Sequence, residues 1–330
     1  MSMLREKVSI VIPTYNRWHL LQETLKNTLT HNHANIQVVV LDNDSNQDGV
    51  SSVKEVIDDF GRGCCKIVKN MANLGGDGNI LRCFEMCDTP YVLVLGDDDF
   101  LTPDYLAQIE HYVSQPKTWG WINFQCAAGR PLNRTEDAVF SNPYDMIAES
   151  NNWAELLFIS TTLFNRSLVL RGMSDAQRFQ ITCSAHLVGL ISGWESFIKS
   201  DNAAAQAMHF VLSARKIIES GGHGRDPRSF ELIRIYQGMS SAKYFLADRQ
   251  KFKTIRAAIR GGTRYVFKPR VLAKEFFYYT QKFGFSQSRS VLEGVLDGLR
   301  YMIGTRFIFY RWYLPVVVLF AACLRCLKSK

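Results

Sequence analysis

Apolar and polar positions in the first hundred residues follow two alternating rhythms. Short apolar runs, Lys7–Ile12, Ile36–Leu41 and Tyr91–Leu95, read as buried strands, the last of them buried on both faces as in a parallel sheet, and Lys66–Lys69 reads as a weaker strand between them. Between them the apolar residues fall at helical spacing: Trp18, Leu21, Leu25 and Leu29, then Val50, Val53, Val56, Ile57 and Phe60, then Ile80, Phe84 and Cys87. Thr14 or Asn16 is the predicted cap of the first helix. Four strand–helix alternations predict an open, mainly parallel α/β sheet flanked by helices. Ligands of such sheets lie beyond the carboxyl ends of the strands. Those ends carry Pro13–Arg17, Asp42–Ser45, Asn73–Asn79 and Asp97–Asp99.

Downstream, Thr102-Pro103 predicts a helix start with Tyr105, Leu106, Ile109 and Val113 on its inner face, and Trp119–Cys126 predicts a further strand. From about 127 to 180 the pattern loosens, and 130–150 is rich in turn formers. His186–Ser192 reads as an apolar helix leading into Gly193-Trp194-Glu195-Ser196. His186 on that apolar face reads as a core histidine. The glycines of Gly221-Gly222-His223-Gly224-Arg225 divide the chain into residues 1–224 and a helical, basic region at 225–330.

Charge sharpens that division. Residues 1–224 carry 18 Lys/Arg and 25 Asp/Glu, whereas 225–330 carry 21 Lys/Arg and 6 Asp/Glu. The second half therefore suits a polyanionic partner. No nucleic-acid-binding motif accompanies the charge, so an anionic membrane surface is the better match. Phe276–Tyr279 lie between Lys274 and Lys282, and Trp312–Leu324 is an apolar run of 13 residues bracketed by Arg311 and Arg325. That run is short of the roughly 20 residues that span a bilayer. It fits a segment lying in the membrane interface, with an ordinary core helix as the alternative. The amino-terminal sequence lacks the features of a secretory signal, so cytoplasmic, peripheral placement is expected. The eight cysteines form no paired CxxC set, which argues against zinc and for reduced thiols; Cys323 and Cys326 make a lone CxxC. The sequons at Asn133 and Asn165 are then incidental.

The chemistry concentrates at Gly96-Asp97-Asp98-Asp99, after the most apolar strand. Three adjacent carboxylates repel one another and call for a positive group. A hard divalent cation, Mg²⁺ or Mn²⁺, takes one or two such carboxylates and fills its shell with water and phosphate oxygens. An acidic turn capping the next helix is the simpler alternative. No G-x-x-x-x-G-K-[ST] is present, which disfavours a Walker-type nucleotidase.

Taken together, VSIVIPTYNR, VVVLDNDS, NLGGDGN and YVLVLGDDDFLTPDYL resemble the nucleotide-sugar-binding half of family 2 glycosyltransferases with the GT-A fold, over roughly residues 7–115. The wording of the last two motifs is similar to bacterial O-antigen and capsule transferases, abequosyl-type enzymes among them. The resemblance implies a nucleoside-diphosphate-sugar donor, a divalent metal, inversion at the anomeric carbon and a lipid-linked or surface-glycan acceptor. On it, Pro13, Thr14, Tyr15, Arg17, Asp42 and Asp44 hold the nucleoside side of the donor, and Asn73, Gly75 and Gly76 line its pocket. Asp99 binds metal, and Asp98 or Asp97 reaches the ribose or a second metal position. His223 would complete the metal shell or close over the diphosphate; a flexible linker is the alternative for its loop. Gly96 stands where the family often has Asp. Glu195 lies where the family places its general base, with Asp201 in reserve; Glu195 reads equally as a first-turn glutamate at a helix N-terminus. The 130–150 segment would sit on the acceptor side. Two rival functions remain: a sugar nucleotidyltransferase, which would want a basic glycine-rich loop after the first strand, and a non-catalytic membrane-scaffolding module.

Overall fold

The computed structural model describes residues 4–46, 49–61, 63–125, 134–150, 152–180, 184–200, 202–221 and 248–263. Helix α1 (Leu4–Lys7) leads into β1 (Val8–Thr14), α2 (Trp18–Thr30), β2 (Gln37–Asp42), α3 (Val50–Phe60), β3 (Cys65–Lys69), α4 (Gly75–Cys83) and β4 (Tyr91–Val94). This is the predicted alternation. β1 pairs in parallel with β2 and β4, and β2 with β3. β1, β2 and β4 need no polar alternation because both faces are covered, whereas β3 is only partly buried. Val11, Val39, Val92 and Val94 enter one hydrophobic cluster, while Ile10, Ile12, Val38, Val40 and Leu93 enter the other.

The remaining elements are β5 (Asp99–Leu101), α5 (Tyr105–Val113), β6 (Thr118–Asn123), β7 (Ala138–Phe140), α6 (Pro143–Ser150), α7 (Trp153–Leu157), β8 (Thr162–Asn165), α8 (Arg166–Arg171), α9 (Met173–Arg178), α10 (Ala185–Ser200), α11 (Asn202–Gln206), β9 (Met208–Leu212), β10 (Ile218–Gly221) and α12 (Arg249–Thr263). The main sheet has the order β3-β2-β1-β4-β8-β6-β9-β7, and β10 pairs separately with β5. β8 corrects the reading of 127–180 as loose structure. It lies in the middle of the sheet, antiparallel to β4 and β6. Its four residues, all buried, are too few to show a period. Because β8 runs backwards, its amino end meets the carboxyl ends of β4 and β6 at one edge. Asn165, the described sequon residue, is buried and caps α8 by accepting from the backbone N–H groups of Ser167 and Leu168.

Two predicted helix starts move. Neither Thr14 nor Asn16 caps α2; Arg17 holds that position without a side-chain bond. The Thr14 hydroxyl is committed to Asp97, and Asn16, at φ 54°, accepts from the Asn46 N–H. α5 begins at Tyr105, behind Asp104, instead of at Thr102-Pro103. The reason is that the Thr102 N–H donates to Ile217 O, which prolongs the β5–β10 pairing. A further correction concerns Glu195. α10 continues unbroken through Gly193, so Glu195 lies in its later turns and not in a first turn. Gly193 serves close packing: a Cβ there would lie 1.7 Å from Leu168 O, and one on Gly172 1.9 Å from Gly189 O.

α12 follows the expected boundary at 224, yet Ile255 and Ala258 are buried in the cluster that holds Trp194 and Phe210. Among the described residues no helix is long and apolar enough to cross a membrane. Phe276–Tyr279, Trp312–Leu324, Cys323 and Cys326 lie outside the described residues.

His186 is a core residue as predicted, packed edge-on against Phe164, but neither ring nitrogen makes a well-formed hydrogen bond. Burial holds its pKa down to about 4, with the Leu157 backbone pulling the other way. Between pH 6.5 and 4 the unfolded chain therefore binds a proton that the folded one refuses, so this site subtracts stability as pH falls. His186→Leu is expected to match the wild type at pH 7.5 and to exceed it at pH 5 by on the order of 2 kcal/mol. Urea unfolding of both proteins at the two pH values reads the difference directly. Parallel pH profiles would contradict it.

Candidate functional site

The acidic turn after β4 is buried: Asp97, Asp98 and Asp99 are all less than 5% exposed. Their partners come from distant parts of the chain. Arg17, at the entry to α2, bridges Asp97 (Nη1 to Oδ1, 2.8 Å) and Asp98 (Nη2 to Oδ2, 2.7 Å). Thr14, the last residue of β1, donates to Asp97 Oδ2 at 2.8 Å, and the Thr24 hydroxyl donates to Asp97 O. Burial pushes the Asp97 pKa up to about 6, against the pull of Arg17 and Thr14. Burial also opposes the Arg17 charge, but the three carboxylates outweigh it and raise its pKa.

Asp99 is held from the other side. Ser160 donates to Asp99 Oδ2 at 2.5 Å and accepts from the Gly96 N–H at 2.9 Å. Gly96 is there for space: a Cβ would lie 2.6 Å from Asp99 Oδ2. The carboxylates thus meet different partners, Asp97 and Asp98 sharing Arg17 and Asp99 taking Ser160. Among the described residues no three His, Cys, Asp or Glu side chains converge on one metal position. The positive group that the sequence calls for is, in the first instance, Arg17. Asp99 would offer a hard divalent ion one carboxylate, and the ion's other ligands would then come from phosphate and water.

Beside this turn, the ends of β2 and β3 are tied by asparagines. Asn43 donates to Asn73 Oδ1 (2.8 Å) and Gly75 O (3.2 Å), and it accepts from the Leu74 N–H and from Asn70. Asn70 also donates to Asn79 Oδ1, and Asn79 to Leu41 O. The backbone partners of Asn43 and Asn79 fix which end of each amide is oxygen. Asp42, 2% exposed, accepts from the Ser45 N–H and hydroxyl. Asp44, at φ 63°, points instead to Lys69 at 3.0 Å on the surface. Pro13 lies in β1, paired with Leu41 in register. Gly75, at φ 74°, and Gly76 face open space, with nothing within 4 Å of where a Cβ would stand. Tyr15 and Leu74 are among the exposed large hydrophobic residues.

The β5–β10 pairing places Gly221 opposite Asp99. His223, two residues further on, and Asp201 lie outside the described residues. Glu195 has other neighbours: Tyr144 donates to its Oε1 at 2.7 Å, and Lys251 of α12 contacts both oxygens at 2.7 and 2.9 Å. The structure therefore joins Thr14, Arg17 and Asp97–Asp99 at one edge, with Asp42, Asn73 and Gly75 in the adjoining network. Ser160, Thr24, Asn43, Asn70 and Asn79 escaped the sequence reading. Asn43 and Asn79 sit inside the quoted motifs and were within reach of it. Ser160 is 61 residues from Asp99 in a stretch without a period, and nothing local marks it.

The mainly parallel sheet flanked by helices is a fold of the GT-A type. The profile described as "Glycosyl transferase family 2" matches residues 9–168, just under half of this chain. Abequosyltransferase RfbV of Salmonella typhimurium is 28% identical over 107 residues, 32% of this chain and 32% of that protein. The match thus spans about a third of that relative's length. S. aureus TarS (residues 1–349, in complex with UDP-GlcNAc) superposes with a TM-score of 0.53 at 13% identity, covering 88% of this chain and 92% of that one. A mannosyltransferase of Pyrobaculum calidifontis, in complex with GDP-Man and Mn²⁺, gives 0.53 at 14% identity over 99% and 89%. At these identities the likeness is one of fold.

Removing Arg17 leaves buried carboxylates without their cation. Arg17→Met is expected to lower stability by about 2 kcal/mol, less than for a fully buried pair because Arg17 is partly exposed. Mn²⁺ should then raise the melting temperature of Arg17→Met more than that of the wild type, since it supplies the missing charge. Thermal unfolding with and without Mn²⁺ checks this; equal shifts would count against Arg17 as the resident counter-ion.

Proposed function

We propose that the protein is an inverting, divalent-metal-dependent glycosyltransferase that moves a sugar from a nucleoside diphosphate to a lipid-linked or surface-glycan acceptor. The observation that carries this reading is the convergence of Thr14, Asp42–Asn43, Asn73–Gly75 and Asp97–Asp99 at one carboxyl edge. A nucleoside fits the β1–β2 side, beside Pro13, Thr14, Tyr15 and Asp42. The diphosphate then falls toward the acidic turn, where unscreened carboxylates would repel it. Arg17 already offsets two of them, and a bound divalent ion at Asp99 would neutralise charge developing on the leaving nucleoside diphosphate. Gly75 and Gly76 leave room for the sugar moiety to approach backbone closely. Asp97 and His223 are carried as further metal contacts, and Asp98 as a ribose contact. The basic region beyond 224 is assigned to an anionic membrane surface, where a lipid-linked acceptor resides.

Two measurements test this. Asp99→Asn is expected to lower transfer by roughly 10²-fold or more while leaving the melting temperature close to that of the wild type. Nucleotide-sugars with UDP, GDP and CDP leaving groups, screened by thermal shift with and without Mn²⁺, should raise the melting temperature for one base far above the others. No shift with any of them, or full activity in Asp99→Asn, would remove the donor reading.

Glu195 is the proposed general base on the resemblance; its described partners are those of a carboxylate that docks α12. We favour docking. Glu195→Gln should therefore lower the melting temperature by several degrees and leave turnover per folded molecule nearly unchanged. A rate loss of roughly 10²–10⁴ at unchanged melting temperature and donor affinity would make Glu195 the base.

A further inference from the structure

Ser160 is fully buried in the 3-10 turn Ile159–Thr161 that joins α7 to β8. Its hydroxyl has one proton to give. Because the oxygen accepts from the Gly96 N–H at 2.9 Å, that proton is directed to Asp99 Oδ2 at 2.5 Å. Gly96 has no Cβ to displace Asp99 Oδ2, and one placed there would lie 2.6 Å from it. The antiparallel register of β8 on β4, with Leu93 opposite Leu163, brings the turn over Gly96. Backbone, hydroxyl and carboxylate form a closed triangle that holds Asp99 in one orientation.

We propose that Ser160 is a positioning residue: it sets the Asp99 carboxylate in the orientation that receives a divalent cation bound with the donor diphosphate. The proposal rests on the donor reading above and adds to it a residue outside the family motifs. Partners that orient a metal ligand are typically worth roughly 10–100-fold in metal affinity. A merely structural serine would affect the melting temperature instead, leaving metal affinity well below melting untouched.

The test is a Mn²⁺ titration, followed by the EPR signal of aqueous Mn²⁺, at 10 °C with saturating UDP, GDP or CDP, whichever matches the preferred donor base. Ser160→Ala is expected to bind Mn²⁺ about 10–100-fold more weakly than the wild type. Ser160→Thr, which keeps the hydroxyl, should recover most of that affinity. Asp99→Asn is the reference. If Ser160→Ala binds Mn²⁺ as the wild type does while Asp99→Asn does not, the positioning role is overturned and the donor reading stands. If Asp99→Asn also binds like the wild type, the donor reading fails and the Ser160 role falls with it. Should Ser160→Ala not fold, Ser160→Cys, which hydrogen-bonds weakly, is titrated in its place, and less than a threefold loss overturns the proposal.

Discussion

Three consecutive carboxylates at the buried end of β4 impose the constraint around which this edge is built. A buried carboxylate without partners costs several kcal/mol, and neighbouring ones add repulsion. The chain answers with groups drawn from three places. Arg17 and Thr14 come from the β1–α2 junction and Ser160 from the turn before β8, while Thr24 within α2 holds the turn itself by donating to the Asp97 main-chain carbonyl. Satisfying Asp97 and Asp98 therefore also fixes how β1 and α2 meet β4. Satisfying Asp99 fixes the entry to β8, and with it the central antiparallel strand.

A second layer of polar bonding holds the β2 and β3 ends. The Asn43, Asn70, Asn73 and Asn79 amides bond to one another and to backbone groups of Leu41, Leu74 and Gly75. This leaves the glycine backbone at the start of α4 exposed on a braced support. Rigid scaffolds that present loops at the carboxyl ends of strands suit precise ligand placement. The other flank of the sheet is differently made. There α10 packs closely on α8 through glycines, and Glu195 ties α10 to α6 and α12 through Tyr144 and Lys251. The described helix of the basic region, α12, is thus part of the same packed body as the sheet.

The four-strand parallel half was legible because β1, β2 and β4 are short, almost wholly apolar and buried, and each of its helices keeps a 3.6-residue stripe; β3, CKIVK, is only partly buried and gave the weakest signal. Those patterns are local, and they arise from burial alone. The four polar stretches at the strand ends were legible for the same reason, since the alternation itself says which ends share an edge. What tertiary structure alone decided is pairing between distant segments. β8 has too few residues to carry a period, and the Thr102–Ile217 bond that delays α5 joins residues more than a hundred positions apart. Arg17 stands in a motif, yet only the fold shows that it turns inward to two aspartates. Glu195 was placed by spacing, whereas its partners Tyr144 and Lys251 come from helices 51 and 56 residues away. Sequence pattern reports which residues seek burial or water; it does not report which buried charge meets which partner, because that depends on contacts closed across the chain.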